Sequence, residues 1–200
     1  MRSRWLVPTL LIALAPVLLK AGPVTVLDFE DLADSDIVIN QYPGLTFSNA
    51  IILSAGISLN EFEFPPHSGV NVVSDNGGPL SISFATPITS FSGYFTYAEM
   101  LTLQGFDAGS NLVGSTSSAF TNNMVLSGEP GSSPNEFMSL SFAGGISSIT
   151  ITGDTQGGSL VMDDTTIQQA SSPVPEPQSV SLLVCGFATL SIIKCLKSRS

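Results

Sequence analysis

Five carboxylates bracket the central part of this 200-residue chain: Asp28, Glu30 and Asp31 near its first apolar run, and Asp163 and Asp164 in its last. If the runs that carry them are neighbouring strands, the five form one oxygen-rich cluster. Ca2+ takes about six to eight hard oxygen ligands, so calcium is the cofactor that this donor set suits. The competing use of such acids is to stop sheet edges from pairing between molecules. The sequence has no Asp-x-Asp-x-Asp-Gly loop that would settle the choice for calcium.

Two further acids, Glu61 and Glu63, are spaced to share one face of a strand, and the only histidine, His67, follows four residues later. Paired carboxylates are the requirement of a glycoside hydrolase, one as acid and the other as base or nucleophile. Two residues on one strand meet that geometry only by accident of rotamer, and His67 after Pro65-Pro66 reads as a loop residue. A serine nucleophile has no Gly-x-Ser-x-Gly elbow, because Ser90 stands where Phe91-Ser92-Gly93 would need its first glycine. The chain therefore reads as non-enzymatic. Sugar binding needs an aromatic platform, and for that the central part offers Tyr42, Tyr94 and Tyr97. Tyr94 falls on the polar face of its run and Tyr97 on the opposite face, with Ser, Asn and Gln available to bond hydroxyls.

The elements that hold these residues are short runs of period two. Leu80, Ile82 and Phe84 alternate with Ser81 and Ser83; Phe91, Gly93 and Phe95 with Ser92, Tyr94 and Thr96; Met138, Leu140 and Phe142 with Ser139 and Ser141; Ile149 and Ile151 with Ser148, Thr150 and Thr152. That is the period of half-buried strands. Further strands are expected over 24–29, 37–39, 45–53, 69–74, 100–106, 111–116, 123–127 and 159–167, with irregular chain over 54–68 and 128–136. No sustained helical period occurs in the centre. So many short strands bury their apolar faces best as two packed layers. The expected fold class is all-β, an antiparallel jelly-roll-like β-sandwich over 23–168.

Charge and cysteine placement exclude whole classes of function. All six cations lie at the ends, Arg2, Arg4 and Lys20 at one and Lys194, Lys197 and Arg199 at the other, while the sixteen acids run from Asp28 to Glu176. Nucleic-acid binding draws on Lys and Arg to neutralise phosphate, so no nucleic-acid partner is expected. Both cysteines, Cys185 and Cys195, lie in the carboxy-terminal apolar run, which leaves the centre without thiol chemistry.

The two ends read as addresses. Residues 1–22 carry Arg2 and Arg4, an apolar stretch from Trp5 to Leu19 and small residues at Ala21 and Gly22, the pattern of a signal peptide cut by signal peptidase near those positions. At the other end, Val174-Pro175-Glu176-Pro177 lies in a proline-rich linker, 169–179, ahead of an apolar run from Val180 to Ile193 and the basic residues Lys194, Lys197 and Arg199. The span 180–200 reads as a transmembrane helix with a cytoplasmic basic tail. In order and position these features resemble the PEP-CTERM sorting signal of exported proteins of Gram-negative bacteria. The resemblance implies that an exosortase, a membrane cysteine protease, recognises the tail. It also implies inner-membrane anchoring before sorting, release to the envelope surface or medium, and association with exopolysaccharide or biofilm matrix. The stretch Ser159–Ile167 also looks like the terminal strand of such ectodomains and of jelly-roll carbohydrate-binding modules. The expectation is a surface-displayed or secreted sandwich, with a carbohydrate-binding module on the host's own polysaccharide as the alternative.

Overall fold

A computed structural model describes residues 22–170. The signal segment up to residue 21, the motif Val174-Pro175-Glu176-Pro177, the 180–200 span and the basic residues Lys194, Lys197 and Arg199 lie outside the described residues. Among the described residues nine strands follow one another: β1 (Val24–Leu27), β2 (Leu45–Ser48), β3 (Ala50–Ser54), β4 (Asn71–Asn76), β5 (Leu80–Tyr97), β6 (Thr102–Phe106), β7 (Leu112–Ser117), β8 (Glu136–Thr152) and β9 (Gly157–Gln169). Every strand pairing is antiparallel, and no helix occurs among the described residues.

The strands form one hydrogen-bonded sheet in the order β3-β4-β9-β5-β8-β6-β7, with β1 added on β9 and β2 on β5. Two long strands fold that sheet over on itself. The first half of β5 pairs with β2 and with the second half of β8 (Leu80↔Ile151, Ile82↔Ile149). After a register break between Ser83 and Ile88, its second half pairs with the first half of β8 (Phe91↔Leu140, Tyr94↔Phe137) and with β9. One layer is thus β2, β5, β8, β6 and β7, and the other is β3, β4, β9, β1 and the remaining halves of β5 and β8.

The two layers meet in a single apolar cluster. Leu80, Ile82, Ile149 and Ile151 from the first layer pack there with Phe91, Phe95, Leu140 and Met162 from the second. Leu140, on the second-layer half of β8, lies against β6 and β7 so closely that a Cβ on Gly105 would stand 2.7 Å from its Cδ2, and one on Gly114 3.0 Å from its Cδ1. Glycine at both positions lets the layers approach to contact distance.

The alternation expected for 80–84, 91–95, 138–140 and 149–151 points inward as read. Several boundaries differ. The runs at 80–84 and 91–96 are one strand, as are those at 138–142 and 148–152. The chain does not stop at Ala85-Thr86-Pro87 or at Ala143-Gly144-Gly145 but bends there from one layer to the other. Phe142, expected inside, sits at that bend and is exposed. The run 45–53 is split at Asn49, whose φ of 56° breaks the extended backbone between β2 and β3. Residues 123–127 form no strand; they belong to a loop closed by Gly128 N–H donating to the Met124 carbonyl.

Candidate functional site

The outer face of the second layer carries three aligned rungs of side chains. Antiparallel register sets Ser90 opposite Ser141 and Gln168, Ser92 opposite Ser139 and Thr166, and Tyr94 opposite Phe137 and Asp163. On the far side of β9, Val24 pairs with Gln168 and Val26 with Thr166, and both valines are exposed. Directly opposed residues share a face, so two hydroxyl-rich rungs run into an aromatic one. Tyr94 faces out because its neighbours Phe91 and Phe95 must face in, where both are fully buried. Phe137 is 57% exposed for the same reason, with Met138 and Leu140 inside.

The third ring comes from a loop. His67 lies flat on Tyr94, with centroids 3.5 Å apart and planes at 8°, and Phe137 is tilted against Tyr94 at 5.4 Å and 60°. The loop is held there by carboxylates. Asp163 Oδ2 accepts the N–H groups of His67 and Ser68, both at 2.8 Å. Asp164 Oδ2 meets His67 Nδ1 at 2.6 Å while its Oδ1 accepts the Ser68 hydroxyl at 2.9 Å. Glu30 Oε1 accepts the N–H of Val70 at 2.9 Å and of Asn71 at 2.7 Å. Backbone donors turned inward by a loop need such partners. Gly69 makes room for Glu30: its φ is +53°, and a Cβ there would stand 2.2 Å from Oε1.

A β-bulge aims these acids. Register moves from Ser92↔Thr166 to Tyr94↔Asp163, so that Asp164 and Thr165 together face Gly93, with Asp164 at a φ of 45°. A bulge redirects the side chains beside it. Here Asp163 turns under the loop, Asp164 turns out to the histidine, and Thr165 turns into the core, where its hydroxyl finds no partner. Asp163 is 1% exposed. Burial pushes its carboxyl above the usual carboxylate range, against the pull of the Ser68, Asp164 and His67 N–H groups, and the neighbouring Asp164 charge adds to the rise.

The first and last strands are neighbours, as the calcium expectation requires, but the five acids do not share a centre. Glu30 through Oε1, Asp163 through Oδ2 and Asp164 through both oxygens bond the 67–71 loop. Asp28 accepts the Glu30 N–H at 3.3 Å within its own turn, and Asp31 accepts the Tyr42 hydroxyl at 2.6 Å. Among the described residues no group of three or more His, Cys, Asp or Glu could hold a metal ion.

Glu61 and Glu63 lie in a turn, not on the strand face expected for them. Glu63 closes that turn onto its neighbour, with Oε2 accepting the N–H of Leu126 at 2.9 Å and of Ser127 at 3.3 Å. His67 is a loop residue as expected, and Tyr97 is wholly buried, its hydroxyl bonded to Glu136. Two features escape the sequence: that His67 stacks on Tyr94, and that Phe137 joins them. The outward alternation of Phe137 with Ser139 and Ser141 is the signal that marks the second. Elsewhere the described surface holds a cavity of about 140 Å³ at the mouth between the layers, lined by apolar groups such as Leu27, Phe84, Ile88 and Ile167.

No family model matches the chain, and no curated protein matches it. The solved structures to which the chain is similar in outline include these three. A DUF4465 family protein from Bacteroides caccae is 9% identical, covers 74% of this chain and 99% of its own, and has a TM-score of 0.46. The CBM22-1 xylan-binding domain from Paenibacillus barcinonensis is 14% identical over 76% of this chain and 98% of its own, with a TM-score of 0.41. A family 11 carbohydrate-binding module from Clostridium thermocellum, solved with a mixed-linked tetrasaccharide, is 12% identical over 76% and 99%, with a TM-score of 0.34.

Proposed function

We propose that this protein is an exported, non-catalytic β-sandwich that contacts polysaccharide through the outer face of its second layer, and that the sorting tail read in the sequence delivers it to the cell envelope or medium. The observation that carries the reading is the His67–Tyr94–Phe137 ring cluster, fixed by three carboxylates at the end of two hydroxyl-bearing rungs. Sugar rings present flat C–H faces edged by hydroxyls. Exposed aromatic rings receive the faces, and Ser, Thr and Gln side chains exchange hydrogen bonds with the edges. Prior fixing of the histidine loop reduces the ordering cost of binding. A single shallow face of this kind gives weak contact, and a protein held in many copies on a surface gains the rest by multivalency.

The test is electrophoresis through gels that contain the host's own extracellular polysaccharide. Wild-type protein should be retarded. Phe137→Ala, which removes an exposed ring and leaves the core untouched, should weaken the apparent affinity about tenfold, or about 1.4 kcal/mol, with an unchanged melting midpoint. Wild-type mobility unaffected by the polysaccharide would end the carbohydrate reading.

A further inference from the structure

The charge on and around this face selects among polysaccharides. We infer that the face takes an uncharged glycan and excludes acidic ones, an inference that rests on the polysaccharide reading above. Between Lys20 and Lys194 the chain has neither Lys nor Arg, yet it carries every one of the sixteen acids in that interval. Carboxylated, sulfated or phosphorylated polymers are held by guanidinium and ammonium groups, in the best cases by bidentate pairing. The one side chain on the face that can become cationic is His67, and its Nδ1 is already engaged by the Asp164 carboxylate at 2.6 Å. Among charged groups, a polyanion laid on this surface would meet carboxylates and no free cation.

A cationic glycan finds only a weakened hold, because the carboxylates nearest the rungs already accept hydrogen bonds. Both oxygens of Asp164 are used by His67 and Ser68. Those of Asp163 are used by the His67, Ser68 and Asp164 N–H groups, and the residue is buried. Glu136, beside Phe137, receives the Tyr97 hydroxyl on one oxygen and the Ala119 N–H on the other. An ammonium group arriving at the face would therefore share a carboxylate that already accepts hydrogen bonds, which weakens the ion pair it gains.

What the face does leave free is neutral. Ser139 is exposed on β8, as is Ser141, whose hydroxyl donates to Ser90 at 3.2 Å; Thr166 and Gln168 are half-exposed on β9, and Val24 and Val26 close the far edge. Hydroxyls and a carboxamide both donate and accept, which matches the paired donor and acceptor character of sugar hydroxyls. From the Ser90 rung to the Tyr94 rung the face runs about 14 Å along the strands, and from β1 to β8 about 14 Å across them. That area is enough for a short stretch of a glycan chain.

The experiment uses the full-length protein and the host's extracellular polysaccharide, separated by anion exchange into an unretained neutral fraction and a retained acidic fraction. Retardation in gels is measured with each fraction at about 20 mM and about 500 mM sodium chloride, the range over which exposed charge interactions are screened out. The neutral fraction should retard the protein equally at both salts, and Phe137→Ala should lose that retardation. The acidic fraction should leave mobility unchanged at low salt, where repulsion is strongest. Retardation by the acidic fraction, or neutral-fraction binding that disappears at high salt, overturns the charge selection and leaves the polysaccharide reading standing. Retardation by neither fraction overturns both.

Discussion

Asp75, on β4, is 2% exposed and faces three donors from the start of β9. Its Oδ1 accepts the N–H of Ser159 at 2.9 Å and of Leu160 at 3.0 Å, and its Oδ2 the Ser159 hydroxyl at 3.1 Å. Burial raises its pKa above 3.8, and those donors only partly offset the rise. A carboxyl with a raised folded pKa favours the folded state most below its unfolded value of 3.8, and that contribution is lost as pH rises through the folded value. Asp75→Asn keeps an acceptor for both N–H groups and never ionises. Its melting midpoint should match the wild type near pH 3.8 and exceed it at pH 7, with the gap opening in between. Asp75→Ala leaves two buried N–H groups without a partner and should cost about 2 to 3 kcal/mol near pH 3.8, and less at pH 7, where the wild type has lost the contribution of its protonated carboxyl. An Asn variant less stable than wild type at pH 7 would mean that the charged carboxylate is itself the stabilising form. Asp163 is a second buried acid of this kind, and in the sequence it reads as an edge charge or a calcium ligand. The partners of both lie far along the chain, 84 residues on for Asp75 and 96 back for Asp163, and only the register of β4 on β9 brings them together.

At the level of elements, β5 and β8 decide the architecture, since each of them serves both layers. The period-two alternation in their sequences is strong enough to give the inward faces, because one inverted residue would place a Ser in the core and a Phe in water. Their continuity is not written there. Ala85-Thr86-Pro87 and Ala143-Gly144-Gly145 have the composition of turns, and only the packing of the two halves against each other shows that the chain bends and goes on. The candidate site shares that fate: the outward phase of Tyr94 is legible, whereas the loop that lays His67 upon it is fixed by a bulge 96 residues away. The inter-layer contact makes a sharp prediction. Gly105→Val drives two methyl groups into Leu140 and should cost about 2 kcal/mol by overpacking, a drop of several degrees in Tm. In a Leu140→Ala background the added methyls enter the space vacated, so the same substitution should cost less than half as much. Equal cost in both backgrounds would mean that the layers are not in contact at Gly105.

For the whole molecule, the two ends of the sandwich leave from one place. Pro23 C=O accepts the N–H of Gln169 at 3.0 Å, so the chain enters β1 and leaves β9 side by side. The cleavage expected near Ala21 or Gly22 falls just before β1, and Val174-Pro175-Glu176-Pro177 begins just beyond β9. Cutting at both places leaves all nine described strands, the described core and the rungs intact. Processing should therefore release a sandwich that melts at the same temperature as the sandwich in the full-length chain. Intact mass spectrometry of the protein recovered from its native host, from envelope and from medium separately, reads the outcome directly. The sorting proposal expects the medium form to lack both the segment before Gly22 and everything after the Pro-Glu-Pro motif, and the envelope to hold the longer precursor. A medium form that keeps residues 180–200, or an envelope form that is the sole product, would make those residues a permanent anchor. The polysaccharide face would then act only within reach of the membrane, and a freely secreted role in the matrix would be lost.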